Sequence, residues 1–377
     1  MRVPFRLPAG LLCCLSVCLS VSGFSVSGSP APQASAAQAP QQGASPQAAP
    51  PADNANSPAR SAGRRVSLDV VVTDKSGKAV SGLQQQDFTL LDDKQPQPIL
   101  TFHETEEPAA DPPMQAILLV DAVNNGFQGV SLQRQQLEKF LRQDDGRLPM
   151  PMSLLFLADT STQLQPVPTS DGKALADALN SSQHGLRIDG RSQGFYGAVD
   201  RIQISLRTLH QLIAYEATQP GRKLLIWLSA GWPLLSGPEV QLSAKDQDFL
   251  FNNIVELSGA LRQARITLYS VDSLGVSGTV RNFYYESFLK GVTAANKTQN
   301  GNLGLQVLAI QSGGQVLTGS NDVTSSIVSC MADAKAFYTI SFDSPPADHP
   351  NEYHSLQVKI GKSGLTARTR TGYYAQR

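Results

Sequence analysis

Ile266 to Val271 reads as a strand, and three short apolar runs precede it: Ala116-Ile117-Leu118-Leu119-Val120, Leu154 to Ala158 and Leu224 to Leu228. Each is too short for a helix and too uniformly apolar for a strand with one wet face. Strands covered on both faces fit this pattern. Between the runs, apolar residues recur three and four apart. Leu137, Phe140 and Leu141 mark one such stretch, Val199, Ile202, Leu206, Leu209 and Ile213 a second, and Leu250, Ile254, Leu257 and Leu261 a third. That spacing is helical. Leu164 to Val167 reads as an edge strand, closed by Pro166 and Pro168. Leu305 to Ile310 reads as a helix, Gln315 to Thr318 as a strand and Asn321 to Ala334 as a last helix. The expectation for residues 114–335 is an α/β domain, a doubly wound and mostly parallel sheet with helices on both faces.

The segments on either side are β. Val66 to Val72 alternates and is rich in β-branched residues, and Asp87 to Leu91 and Ile99 to Phe102 follow as strands. After the last helix, Phe337 to Phe342, Tyr353 to Ile360 and Leu365 to Arg370 have strand character. Residues 64–113 and 336–377 are thus two β segments bracketing the α/β core. Their joining into one small β-sandwich is the natural expectation.

The N-terminus reads as an export signal over residues 1–23. Arg2 and Arg6 precede an apolar stretch from Leu7 to Val21, and Val21-Ser22-Gly23 has the small residues of a cleavage site. An uncleaved anchor is the alternative, and Leu15-Ser16-Val17 before Cys18 is a poor match to a lipoprotein signal. Residues 24–63 read as a linker of Ala, Pro, Gln and Ser that cannot bury enough surface to offset chain entropy. Secreted or periplasmic localisation follows as an expectation. Membrane attachment would come only through the signal.

Charge and cysteine usage exclude several classes. The chain carries 31 Lys and Arg against 31 Asp and Glu. That balance argues against nucleic-acid binding by bulk charge. Of four cysteines, three fall in the first twenty residues, which leaves Cys330 alone in the folded part. One thiol makes neither an intramolecular disulfide nor a cysteine metal cluster.

Three stretches carry a family resemblance. Val70-Val71-Val72-Thr73-Asp74-Lys75-Ser76-Gly77-Lys78 with Val80-Ser81-Gly82-Leu83 and Asp87-Phe88 opens it. Gly221-Arg222-Lys223-Leu224-Leu225-Ile226-Trp227-Leu228-Ser229 forms its middle. Tyr353-His354 and Arg368-Thr369-Arg370-Thr371-Gly372-Tyr373-Tyr374-Ala375 close it. Together they resemble the VWFA-related proteins abundant in Acidobacteria, relatives of the von Willebrand factor A (VWA) domain. The resemblance implies export, an open doubly wound sheet and, for VWA domains generally, a protein ligand held through a metal ion. That metal site lies at the carboxyl ends of the strands, at the switch point of the sheet.

Its first motif is Asp-x-Ser-x-Ser, a carboxylate and two hydroxyls for a hard cation. Here it reads Asp121-Ala122-Val123-Asn124-Asn125. Val123 has no side-chain oxygen, and Asn125 retains a carbonyl. The threonine of the pattern falls at Ser192-Gln193, and the aspartate after the fourth strand falls at Ala230. The resemblance therefore implies a degenerate site. Either Mg²⁺ sits at Asp121 and Asn125 with substitute ligands, or these two residues cap the turn into the next helix and no cofactor is needed.

Trp227-Leu228-Ser229-Ala230-Gly231 also resembles a nucleophile elbow, with Asp272, His349 and His354 in the chain order of a hydrolase triad. Trp227 in place of a small residue argues against that turn. His103, His184 and His210 lack ligand spacing, and the glycines at 301, 304, 313 and 314 lack the lysine of a phosphate loop. Asn282-Phe283-Tyr284-Tyr285 with Phe288 is the most aromatic stretch, either a binding insert or a short helix packed on the core. The reading is a non-enzymatic interaction module. Its contact edge comprises Asp121, Asn124, Asn125, Ser192, Gln193, Ser229, Trp232 and Asp272, and its partner is an exported protein or a cell-surface polymer.

Overall fold

The structure is a computed structural model of the 377-residue chain. It describes residues 64–106, 114–159, 162–165, 167–181, 194–233, 242–272, 284–318, 320 and 322–376. The expected export signal and linker, Ser192 and Gln193, and residues 273–283 of the aromatic segment lie outside the described residues.

The central sheet is built from β5 (Gln115–Asp121), β6 (Arg147–Leu157), β7 (Thr162–Leu164), β8 (Thr169–Asp171), β9 (Lys223–Leu228), β10 (Ile266–Val271) and β11 (Val316–Leu317). Their order is β11-β10-β9-β5-β6-β7, with β8 also on β6. All pairings are parallel except those of β7 and β8 with β6. Helices α1 (Phe127–Leu141), α2 (Gly172–Ser181), α3 (Gly194–Glu216), α4 (Ala244–Gln263), α5 (Leu305–Gln311) and α6 (Val323–Lys335) cover it.

Strand alternation explains why both faces are apolar. In β5, Ala116, Leu118 and Val120 join a core with Leu137 and Phe140 of α1, Leu175 and Leu179 of α2, and Ile327 of α6. Ile117 and Leu119 point the other way, to Leu209 and Ile213 of α3, Leu257 and Leu261 of α4, and Leu305 and Leu308 of α5. Successive residues of a strand face opposite sides, so a two-sided sheet needs an unbroken apolar run. The sheet grows from β5 to β6 in one direction and from β9 to β11 in the other. The switch point therefore lies between the carboxyl ends of β5 and β9.

The terminal segments interleave. β1 (Arg65–Thr73), β4 (Thr101–Glu106), β12 (Ala336–Asp343) and β14 (Thr366–Arg368) form one sheet in the order β14-β1-β12-β4. β2 (Phe88–Asp92), β3 (Gln95–Gln97), β13 (Glu352–Ile360) and β15 (Gly372–Ala375) form another, in the order β15-β13-β2-β3. One hydrophobic cluster joins the two, including Val66, Leu68, Val70 and Val72 of β1, Leu90 of β2, Phe342 of β12 and Val358 of β13. The chain ends meet as expected.

Three details differ from the sequence expectation. Strand β6 starts at Arg147, seven residues before the apolar run, despite Pro149 and Pro151. Its early part faces the short β8 with irregular register between Arg147 and Met152, where missing N–H donors are tolerated. The single strand expected from Leu365 to Arg370 ends at Arg368, and the chain re-pairs in the other sheet as β15. Helix α2 was not anticipated, although Asp171 caps it by accepting from the amides of Lys173 and Ala174.

Candidate functional site

Asp121 closes β5 at the switch point and is fully buried. An ionised carboxylate offers about four acceptor positions, and here four N–H groups fill them. Oδ1 accepts from the amides of Val123 at 2.9 Å and Asn124 at 2.8 Å. Oδ2 accepts from Nδ2 of Asn124 at 2.8 Å and from the indole Nε1 of Trp227 at 2.8 Å. Burial pushes the Asp121 carboxyl above the usual range, with the Trp227 and Asn124 hydrogen bonds opposing it.

Asn125 and its neighbours stitch the two strand ends together. Its Nδ2 donates to the carbonyls of Asp121 at 2.8 Å and Leu228 at 3.2 Å. Gln133 of α1 donates to the Leu228 carbonyl at 2.8 Å, and Gln306 of α5 donates to the Ala230 carbonyl at 3.2 Å. Asn124 Nδ2 also reaches Ser205 Oγ of α3 at 2.9 Å. Gly231 has φ 106°, a backbone conformation that side-chain-bearing residues rarely adopt, so the chain after β9 needs glycine there. Protein N–H groups fill the acceptor positions of Asp121, while Asn124 Oδ1 and Gln306 Oε1 are buried without a partner.

The donor set does not fit a hard cation. Mg²⁺ takes oxygen ligands in an octahedron. A cation at Asp121 would have to displace an N–H partner, and Val123 and Ala230 supply no side-chain oxygen in return.

Other expected edge residues are buried as well. Ser229 is fully buried and its Oγ accepts from the Gly231 amide at 3.2 Å. Asp272 is buried. Trp232 was expected as an interface anchor, but it is only 4% exposed and packs edge-on against Trp227 with centroids 5.1 Å apart. It belongs to the core, because the chain directly after β9 brings it back against Trp227 on the sheet. In the aromatic segment, Phe288 is buried and packs against Gly301.

The hydrolase geometry is not assembled. His354 lies on β13 of the outer sheet, with Nδ1 2.9 Å from Asp92 Oδ1, and His349 Nδ1 lies 3.2 Å from the Pro350 carbonyl. The Asp92, Asp93 and His354 group is a metal-ligand constellation that the sequence reading did not find. Protein donors occupy its carboxylates: Tyr373 Oη donates to Asp92 Oδ2 at 2.6 Å, and the Ser355 amide to Asp93 Oδ1 at 2.9 Å. The Tyr373 ring stacks on His354 at 5.1 Å. This is a clamp across β2, β13 and β15. Burial first, then the Asp92 carboxylate, hold the Tyr373 phenol well above its ordinary value.

What stands out of the carboxyl edge is aromatic. Phe127, at the first turn of α1, is 67% exposed, and Tyr196, at the first turn of α3, is 77% exposed. Tyr196 precedes Ser205 by nine residues, about 13 Å of helix, so it projects beyond the closed network. The Trp227 donor to Asp121 and the exposed pair were both missed from sequence. The exposed pair had a local signal, an aromatic directly after Gly126 or Gly194-Phe195 at a helix start.

No family model and no curated protein matches the sequence. Among solved structures, the chain is similar to proximal thread matrix protein 1 from the mussel byssus, with a zinc-occupied MIDAS motif. That likeness has a TM-score of 0.36 and 12% identity over 64% of this chain and 50% of the other. The manganese-loaded TRAP protein of Plasmodium vivax gives a TM-score of 0.30 and 11% identity over 72% and 97%. The SpRpn10 VWA domain gives a TM-score of 0.24 and 13% identity over 57% and 93%. The chain spans half the length of the mussel protein. At these TM-scores the likenesses carry no weight of their own, and the doubly wound α/β fold rests on the strand order given above.

Proposed function

We propose that the chain is an exported, non-catalytic interaction module that binds another exported protein or a cell-surface polymer through the carboxyl edge of its sheet, without a bridging metal ion. One observation carries this reading: the crevice where a cation would sit is filled by four N–H donors on Asp121, while Phe127 and Tyr196 stand exposed above it. Aromatic side chains supply large contact area at low entropic cost and anchor many interfaces. Asp121, Asn124 and Asn125 act from below, by fixing the turn that leads into α1 and reaching Ser205 of α3.

A photo-crosslinking side chain placed at position 127 or 196 tests this in the producing cell. The expected result is a discrete crosslinked product at both positions, weakened when the other aromatic is removed (Tyr196→Ala for the probe at 127, Phe127→Ala for the probe at 196) and unchanged by EDTA. Each single variant should keep its stability within about 0.5 kcal/mol of wild type, because both side chains are exposed. Loss of the product with EDTA would favour metal-dependent adhesion instead. Covalent labelling of Ser229 by a serine-directed reagent would favour hydrolysis.

A further inference from the structure

The opposite, amino-terminal edge of the sheet holds a polar cavity of about 270 Å³ between the central sheet and β1. Its walls carry five arginines, Arg65, Arg222, Arg262, Arg265 and Arg370, and a single acid, Asp69. The alternation of β1 places them. Val66, Leu68 and Val70 fill the outer hydrophobic cluster, which turns Arg65, Ser67 and Asp69 to the cavity. Arg222 precedes β9, Arg262 and Arg265 flank the end of α4, and Arg370 follows β14.

The positive charge there is only partly neutralised. Asp69 accepts from Arg265 Nη2 at 2.8 Å and lies 3.7 Å from Arg222 Nε. Arg65 is held by Asp343 at 2.6 Å. Among the described residues, neither Arg262 nor Arg370 has a carboxylate within ion-pair distance. Arg222 is 2% exposed, yet its Nε has no hydrogen-bond partner. Arg370 is buried too, and among the described residues its guanidinium donates only to the Ser258 carbonyl at 3.5 Å. Burial first, and then the neighbouring Arg262, push Arg370 down to about 10. A helix C-terminus attracts cations, which accounts for Arg262 and Arg265. It does not account for Arg370, brought in by the C-terminal tail. Arg222 donates to the Asp333 carbonyl in the last turn of α6 at 3.0 Å and stacks on Phe337, which leaves only its Nε without a hydrogen-bond partner. Buried guanidinium groups in excess of carboxylates, around a cavity far larger than one water needs, form a receptor for an anion. Planar donor forks of this kind match the oxygens of a tetrahedral oxyanion.

We propose that this cavity binds a phosphate group, free or carried on a small sugar or alcohol, through Arg222, Arg262 and Arg370. The site is independent of the carboxyl-edge interaction.

The test is thermal unfolding and titration calorimetry of the full chain with inorganic phosphate, glycerol phosphate or chloride at one ionic strength. The expected result is a saturable rise in Tm of at least about 3 °C with phosphate but not chloride. Binding should weaken at least tenfold in Arg262→Gln, a partly exposed position that the fold tolerates, and in Arg370→Gln. Tighter binding of glycerol phosphate would identify an esterified ligand, and tighter binding of inorganic phosphate the free ion. No saturable rise in wild type would overturn the proposal. So would a rise of equal size in both variants.

Discussion

The two edges of one sheet solve opposite electrostatic problems. At the carboxyl edge a single buried acid, Asp121, is surrounded by four N–H donors and has no acceptor position left. At the amino edge five arginines share a cavity with one acid, Asp69, and donor capacity is left over. A carboxylate with every acceptor position filled positions loops, although Asn124 Oδ1 and Gln306 Oε1 beside it lack a partner. An under-filled network holds a ligand or costs stability.

Removing Asp69 should give the largest effect. Asp69→Asn takes the only carboxylate from the arginine cavity and should cost about 3 kcal/mol in urea unfolding, as for other broken buried pairs. If the cavity holds phosphate, part of that loss returns with added phosphate. A cost below about 1 kcal/mol would mean that solvent screens the cavity well, and the contrast between the edges would weaken.

Trp227→Phe should come next. It keeps most of the core volume but strips one donor from Asp121, which costs about 1–3 kcal/mol for a buried acceptor left short. The edge-on contact with Trp232 is lost in part as well, so Trp232→Phe is the control.

The smallest effect is in pH. Asp121 is raised by burial in the folded protein. Its contribution is therefore present in full below the unfolded carboxylate value of about 4 and is lost as pH rises through the raised folded value. The stability of wild type relative to Asp121→Asn should increase as pH is lowered from 7 toward 4. A flat difference would show that the four hydrogen bonds offset desolvation completely.

Much of the fold was legible because local periodicity reports burial directly. The run from Leu224 to Leu228 fills β9 after Lys223, since only a strand covered on both faces is apolar at every position. Helix α2 was missed although Asp171 and the spacing of Leu175 and Leu179 mark it, because its ten residues follow a proline-rich edge. The site was less legible. Asp121 and Asn125 could be found from a motif, but the donor that completes Asp121 comes from Trp227, 106 residues away. Trp232 was misplaced because a loop tryptophan reads as exposed until its partner Trp227 is seen.

Sequence by itself determined the α/β alternation, the β character of both ends and the absence of side-chain oxygens at Val123 and Ala230. Each of these depends on residue type and near-neighbour spacing. Tertiary structure alone decided that Asp121 is fully satisfied, that His354 pairs with Asp92 and that Arg65, Arg222, Arg262, Arg265 and Arg370 line one cavity. Those arginines are spread from residue 65 to residue 370, and no local pattern links them. They meet because the last β segment returns to the first, and the outer sheet that results lies against the amino ends of β9 and β10.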